Sequence, residues 1–150
     1  MDIFEWNENI PVTANNLNEM QNIINDNITD SITPTVLWQN PNPLTTFDPQ
    51  NITLSSGDYN YLEIYYYDWT STKRMKSQKV LKGENILIDA SFYSNPNFFA
   101  SGRPITYNSD TSYSVGNCVA LYGATTTELN QSINFVCIPV YIIGYKTELF

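Results

Sequence analysis

The stretch Tyr61-Leu62-Glu63-Ile64-Tyr65-Tyr66-Tyr67 is the clearest piece of patterning in the chain. In an extended backbone, Leu62, Ile64 and Tyr66 fall on one face and Tyr61, Glu63, Tyr65 and Tyr67 on the other, because successive side chains of a strand point to opposite sides. One apolar face must be buried, so the segment predicts a strand in an antiparallel sheet packed on a core. Working outward, Thr35-Val36-Leu37-Trp38 is a second strand, closed by Gln39-Asn40-Pro41-Asn42-Pro43. Ile52-Thr53-Leu54 follows, with Ser55-Ser56-Gly57-Asp58 as its turn. Val80-Leu81 turns at Lys82-Gly83-Glu84-Asn85 into Ile86-Leu87-Ile88, and further strands are expected at Arg103 to Tyr107, Tyr113 to Tyr122 and Ile133 to Tyr145. Phe92 to Phe99 reads as an aromatic loop around Asn95-Pro96-Asn97; Gly123-Ala124-Thr125 and Leu129-Asn130-Gln131 read as turns. Short strands with turn signals about every ten residues predict a mostly β fold, an antiparallel β-sandwich-like domain over residues 35–150.

Composition agrees. Of the 150 residues, 42% are apolar, enough for a folded core, and the apolar set is rich in Tyr (eleven), Phe (seven) and Trp (three). Such residues fit a pleated, half-buried surface. The length suits one domain plus an attachment segment.

Residues 1–34 form the second unit. Phe4 and Trp6 sit on an extended arm over residues 1–12, in which Pro11 keeps Ile10 extended, and exposed aromatics there call for a covering neighbour or for folding back on the chain's own domain. Thr13 or Asn16 can cap a helix, Asn16 and Glu19 having the spacing of a capping box. Leu17, Met20, Ile24, Ile28 and Ile32 then recur at spacings of three and four, with Asn18, Glu19, Asn22, Asn25 and Asp26 opposite, until Pro34 ends the helix. The stripe is narrow and the helix short and Asn-rich, so it is marginal alone. Two arrangements satisfy it: self-association, for which Ile-rich seams favour trimers, or packing on the β domain.

Several chemistries are excluded or unsupported. The chain has no His, which removes the commonest general base and metal ligand and every Ser-His or Cys-His nucleophile pair. Cys118 and Cys137 lie in apolar contexts and read as small buried hydrophobes; whether they pair is not decided by sequence. No phosphate loop, zinc pattern or calcium loop is present in the sequence, so no cofactor and no metal is expected. A net charge of −8 argues against nucleic acid as a partner. No apolar run approaches the roughly 20 residues of a membrane span, and the N-terminus lacks the basic and apolar regions of a signal peptide. Glu63, Asp68, Asp89 and Asp110 are the conceivable glycosidase carboxylates, but nothing in the sequence pairs them, and no enzymatic activity is expected.

What the sequence does offer is aromatics beside polar groups: Tyr65, Tyr67 and Trp69 at the non-core face or end of one strand, and Tyr93, Phe98 and Phe99 in the Asn-Pro-Asn segment. Such rings stack on sugars or fill protein interfaces, and core or intersubunit packing is the plainer use of each. The basic cluster Lys73, Arg74, Lys76, Lys79 and Lys82 suits a solvated strand edge, where lysines discourage aggregation.

Three blocks carry a resemblance. Trp6-Asn7-Glu8-Asn9-Ile10-Pro11-Val12-Thr13-Ala14-Asn15-Asn16-Leu17-Asn18 resembles the N-terminal segment of tailed-phage virion proteins. Leu37 to Pro43 followed by Ile52 to Ile64 is similar to the opening of a β domain of phage fibre, baseplate and head-fibre proteins, and Cys137 to Lys146 to its final strand. The resemblance implies a homotrimeric virion appendage made in the bacterial cytoplasm. Phe4, Trp6, Leu17, Met20, Ile24 and Ile28 would dock it to other virion proteins or to its own copies, and Tyr65, Tyr67, Trp69, Tyr93 and Phe98 would face a host-surface glycan or a virion protein. A polysaccharide-degrading enzyme and a purely structural adaptor are the rival expectations.

Overall fold

A computed structural model describes residues 13–94, 97–122, 129–131 and 133–146, with side chains in those ranges except at 27–32, 92–94, 97–98, 120–122 and 129–131. Phe4 and Trp6 lie outside the described residues. Over the described residues the chain runs through the helix α1 (Ala14–Ile32) and the strands β1 (Thr35–Gln39), β2 (Gln50–Thr53), β3 (Tyr61–Trp69), β4 (Met75–Leu81) and β5 (Ile86–Ser94). It continues as β6 (Asn97–Ser109), β7 (Ser112–Val115), β8 (Val119–Tyr122), β9 (Leu129–Gln131) and β10 (Val136–Tyr145). All described pairings are antiparallel.

Two sheets pack face to face as a β-sandwich. The first has the order β1-β10-β3-β4. The second is organised on the 13-residue β6, which pairs with β5 along one edge and, along the other, with β8 near its start and β7 near its end. Beyond these, β2 pairs with β7 and β9 with β8. The alternation in β3 holds: Leu62, Ile64 and Tyr66 are buried, and they meet Ile88, Ile105, Tyr113 and Val115 of the second sheet in one core. Each fully buried aliphatic side chain contributes roughly 1.5–3 kcal/mol by leaving water.

Local chemistry explains the turns and close contacts. Thr13 caps α1, its Oγ1 accepting from the Asn16 backbone N–H at 3.3 Å. The β4–β5 turn contains Gly83 with φ of +91°, a conformation that glycine adopts without steric cost. Gly144 of β10 is required for packing: a Cβ there would lie 2.8 Å from Leu37 Cδ1 and 3.0 Å from Tyr59 Cγ.

Three sequence expectations are corrected. Residues 92–94 and 97–99 are not loop but paired ends of β5 and β6, with Phe92 opposite Phe99 and Tyr93 opposite Phe98, while Asn95 and Pro96 lie outside the described residues. Leu129 to Gln131 is a strand paired with β8 rather than a turn. Tyr113 to Tyr122 divides into β7 and β8 at residues 116–118. The basic segment does form an edge, since β4 ends the first sheet.

The feature that sequence did not predict is Arg103 of β6, which is fully buried. Its Nε donates to the Cys137 carbonyl (2.9 Å), Nη1 to those of Phe47 (3.0 Å) and Gly116 (2.8 Å), and Nη2 to Val136 (3.2 Å). The guanidinium also lies 5.5 Å from the centroid of the Phe47 ring, within cation–π range. Burial pulls its pKa below the ordinary arginine value, against the opposing influence of Cys118, Cys137 and Asp48. Cys137, whose carbonyl it holds, has a φ of +50°, an uncommon backbone state for a non-glycine residue. Cys118 and Cys137 are buried and free, with Cys137 Sγ 3.7 Å from the Ser101 hydroxyl.

Replacing Arg103 by Met would leave four carbonyls without a donor. The expected loss is about 3–5 kcal/mol, read as a lower urea midpoint at unchanged slope. A midpoint within experimental error of the parent would refute this assignment.

Candidate functional site

The aromatic face predicted around Tyr65 is assembled by three strands. On β3, Tyr61, Glu63, Tyr65 and Tyr67 alternate with the buried residues. β10 adds Tyr141, Ile143 and Tyr145 in register with Tyr65, Glu63 and Tyr61. β4 adds Ser77, Lys79 and Leu81 opposite the same three positions. At the centre stands Glu63, only 7% exposed although it is on the face away from the core. Tyr145 donates its hydroxyl to Glu63 Oε2 at 2.9 Å, and Lys79 Nζ lies 5.6 Å from the Tyr145 ring centroid.

Burial pushes the Glu63 carboxyl up, but hydrogen bonds from Ser77, Tyr145 and Tyr65, with the charge of Lys79, outweigh it and hold the pKa below the ordinary value. The same network raises Tyr145, first by burial and then through hydrogen bonding to Glu63 and its charge. An ionised carboxylate is thus kept under a roof of tyrosines. This polar network is nearly closed: its donors are spent on Glu63, which gives the face rigidity rather than reactivity.

The predicted ligand aromatics divide. Tyr65 stacks on Tyr141, centroids 4.5 Å apart at 27°, so each ring uses one face on the other. Trp69 lies edge-on to Phe99 (5.5 Å, 82°) and tilted to Phe135 (5.6 Å, 44°), and it packs with Tyr67 against the core. The side chains of Tyr93 and Phe98 lie outside the described residues. Tyr141 and Tyr145 were missed as site members, although the period-two spacing of Tyr141, Ile143 and Tyr145 carried the signal.

The four candidate carboxylates are engaged separately. Glu63 and Asp68 point to opposite faces of β3. Asp68 Oδ1 accepts from the Trp69 N–H (2.7 Å), the Thr72 hydroxyl (2.6 Å) and the Arg74 N–H (3.1 Å), which organises the β3–β4 hairpin. Asp110 takes the Tyr107 hydroxyl at 2.8 Å and pairs with Lys82 at 3.1 Å; these contacts hold its carboxyl below the ordinary range. Asp89 is exposed. Among the described residues, no group of three or more Cys, Asp and Glu side chains is placed to hold a metal, and no helix is long and apolar enough to cross a membrane.

On α1, Leu17 is 45% and Ile24 43% exposed, Met20 is half-buried, and none belongs to the core cluster. The Ile28 side chain lies outside the described residues. An open groove of about 340 Å³ lies at the end of β1, lined by Trp38, the connection to β2 and β2 itself.

No protein-family model, curated protein or solved structure matches this chain.

Because the folded Glu63 pKa is depressed, its stabilisation is present above the ordinary carboxylate value of 4.5 and is lost as pH falls through the lower folded value. Glu63→Gln should therefore be less stable than the parent at neutral pH, with the gap closing in acid. Thermal melts across that range check it; a gap that is constant with pH would show that folding does not lower the Glu63 pKa.

Proposed function

We propose that this chain is a non-enzymatic structural and adhesive component of a tailed-phage particle, homotrimeric through α1 and displaying the β-sandwich. The observation that carries the assembly half is the exposed apolar stripe: Leu17 and Ile24 remain uncovered on a helix that stands outside the core. A helix of 19 residues with so little buried surface of its own gains stability by packing against copies of itself. The phage context is supported by the resemblance of residues 6–18, 37–64 and 137–146, with Phe4 and Trp6 as the docking aromatics toward other virion proteins. The display half is supported by a sandwich whose tyrosine face is stiffened by the Glu63 network. Three weak sites on one rigid base gain avidity without any single strong contact.

Light scattering on the full chain should give three chain masses, each 17.1 kDa. The double variant Leu17→Asp, Ile24→Asp should fall to one, with its β-sheet circular dichroism retained. A parent that is monomeric, or a variant that stays trimeric, would remove α1 as the assembly element.

A further inference from the structure

We infer that the groove between Trp38 and the β1–β2 connection binds an uncharged hexose unit of a glycan. This deepens the adhesive half of the proposed function and rests on it, while moving the contact away from the tyrosine face.

Size comes first. The groove's volume of about 340 Å³ falls within the roughly 300–1,000 Å³ typical of small-ligand clefts. Its apolar wall is the half-buried indole of Trp38, fixed edge-on to Phe47 (6.2 Å, 86°). This provides the flat hydrophobic surface on which the C–H face of a sugar ring packs.

Polar valences come second. Asn40 is spent on structure: its Nδ2 donates to the Pro139 carbonyl and its Oδ1 accepts from the Asn42 N–H, both at 2.9 Å. Other lining groups retain capacity. Asp48 uses Oδ1 to accept from Asn134 Nδ2 at 2.6 Å, which leaves Oδ2 as an acceptor. Asn51 uses Oδ1 to accept from the Ser114 hydroxyl at 2.7 Å, which leaves its Nδ2 as a donor. The Asn42 amide has both donor and acceptor capacity free among the described residues. A mixture of donors and acceptors within one cleft matches hydroxyl groups, each of which both gives and accepts a hydrogen bond.

Charge then selects the class. No Lys or Arg lines the groove, and Asp48 contributes a negative charge. The nearest arginine, Arg103, reaches the Phe47 carbonyl from beneath and has its donors committed to carbonyls. Acidic sugars would meet the Asp48 carboxylate with no lining cation to offset it, whereas neutral hydroxyls meet compatible partners. The floor is also preorganised: the Phe47 N–H donates to the Asn134 carbonyl at 2.8 Å while Arg103 holds the Phe47 carbonyl at 3.0 Å, so little ordering is left for binding to supply.

The test is a ligand-observed NMR titration of the full chain with maltose, lactose and chitobiose as neutral probes and sialic acid as the acidic counterpart. At least one neutral probe should saturate in the millimolar range, and Trp38→Ala and Asn42→Ala should each weaken it by roughly tenfold or more, while Leu87→Ala, at an exposed position of β5, leaves it unchanged. Asn42 is exposed, so its variant carries the test even where loss of Trp38 disturbs folding. The inference is overturned by no neutral-probe binding up to about 100 mM, a concentration that still detects very weak affinity. It is equally overturned by binding that survives Asn42→Ala, or by tighter binding of sialic acid. Light scattering on the same samples separates the two readings: a trimer that binds no sugar removes the groove alone, and a monomer that binds removes the assembly alone.

Discussion

A fully buried guanidinium fixes how the two sheets and their connections meet. Arg103 projects from the second sheet and is held by carbonyls of β10 in the first, of the β1–β2 connection and of the β7–β8 connection. The apolar core supplies most of the driving force, but hydrophobic burial is non-directional and tolerates sliding. Four directed hydrogen bonds do not. They set the start of β10, hold the left-handed backbone at Cys137 and fix the carbonyl of Phe47, so the floor of the Trp38 groove and the packing of the sheets share one anchor. Removing the charge alone would leave carbonyls unsatisfied, which is why such a residue persists despite its desolvation cost.

The aromatic residues do different work in different places. Tyr59 and Tyr66 are core residues whose hydroxyls reach the Asp110 and Asp89 carbonyls at 2.8 and 3.0 Å. Tyr65, Tyr141 and Tyr145 cover a carboxylate on the opposite face of the first sheet, and Trp69 closes one end against Phe99 and Phe135. Trp38 is set apart from these because its neighbours on the groove side are amides and hydroxyls. Ring count alone therefore says little about binding; what the ring already touches decides it.

Elements governed by short-range periodicity were legible. The alternation of Leu62, Ile64 and Tyr66 gave a core strand, Thr13 and the spacing of Leu17, Met20 and Ile24 gave a helix, and Lys82-Gly83 gave a turn with the required positive φ. The loop reading of the aromatic segment ran too far: Phe and Tyr are good strand formers, and Phe92 and Tyr93 pair with Phe99 and Phe98. Arg103 was legible only as the start of a strand, since its partners lie 13 to 56 residues away and are backbone atoms that leave no mark in side-chain pattern. For the same reason Asn40 to Pro43 read as a mere turn; Asp48 and Asn134, 86 residues apart, become neighbours only in the folded chain.

β1 has a mechanical consequence. Its five residues begin just after the Pro34 that follows α1 and end at Gln39, next to Asn40, where the groove opens. At about 3.4 Å per residue, that is some 17 Å of extended chain. Tension applied between α1 and the groove would run along the covalent backbone of β1, with no need to pass through the hydrogen bonds between the strands. A sandwich built this way carries load between those two points along one strand, which its buried Leu37 ties to the core.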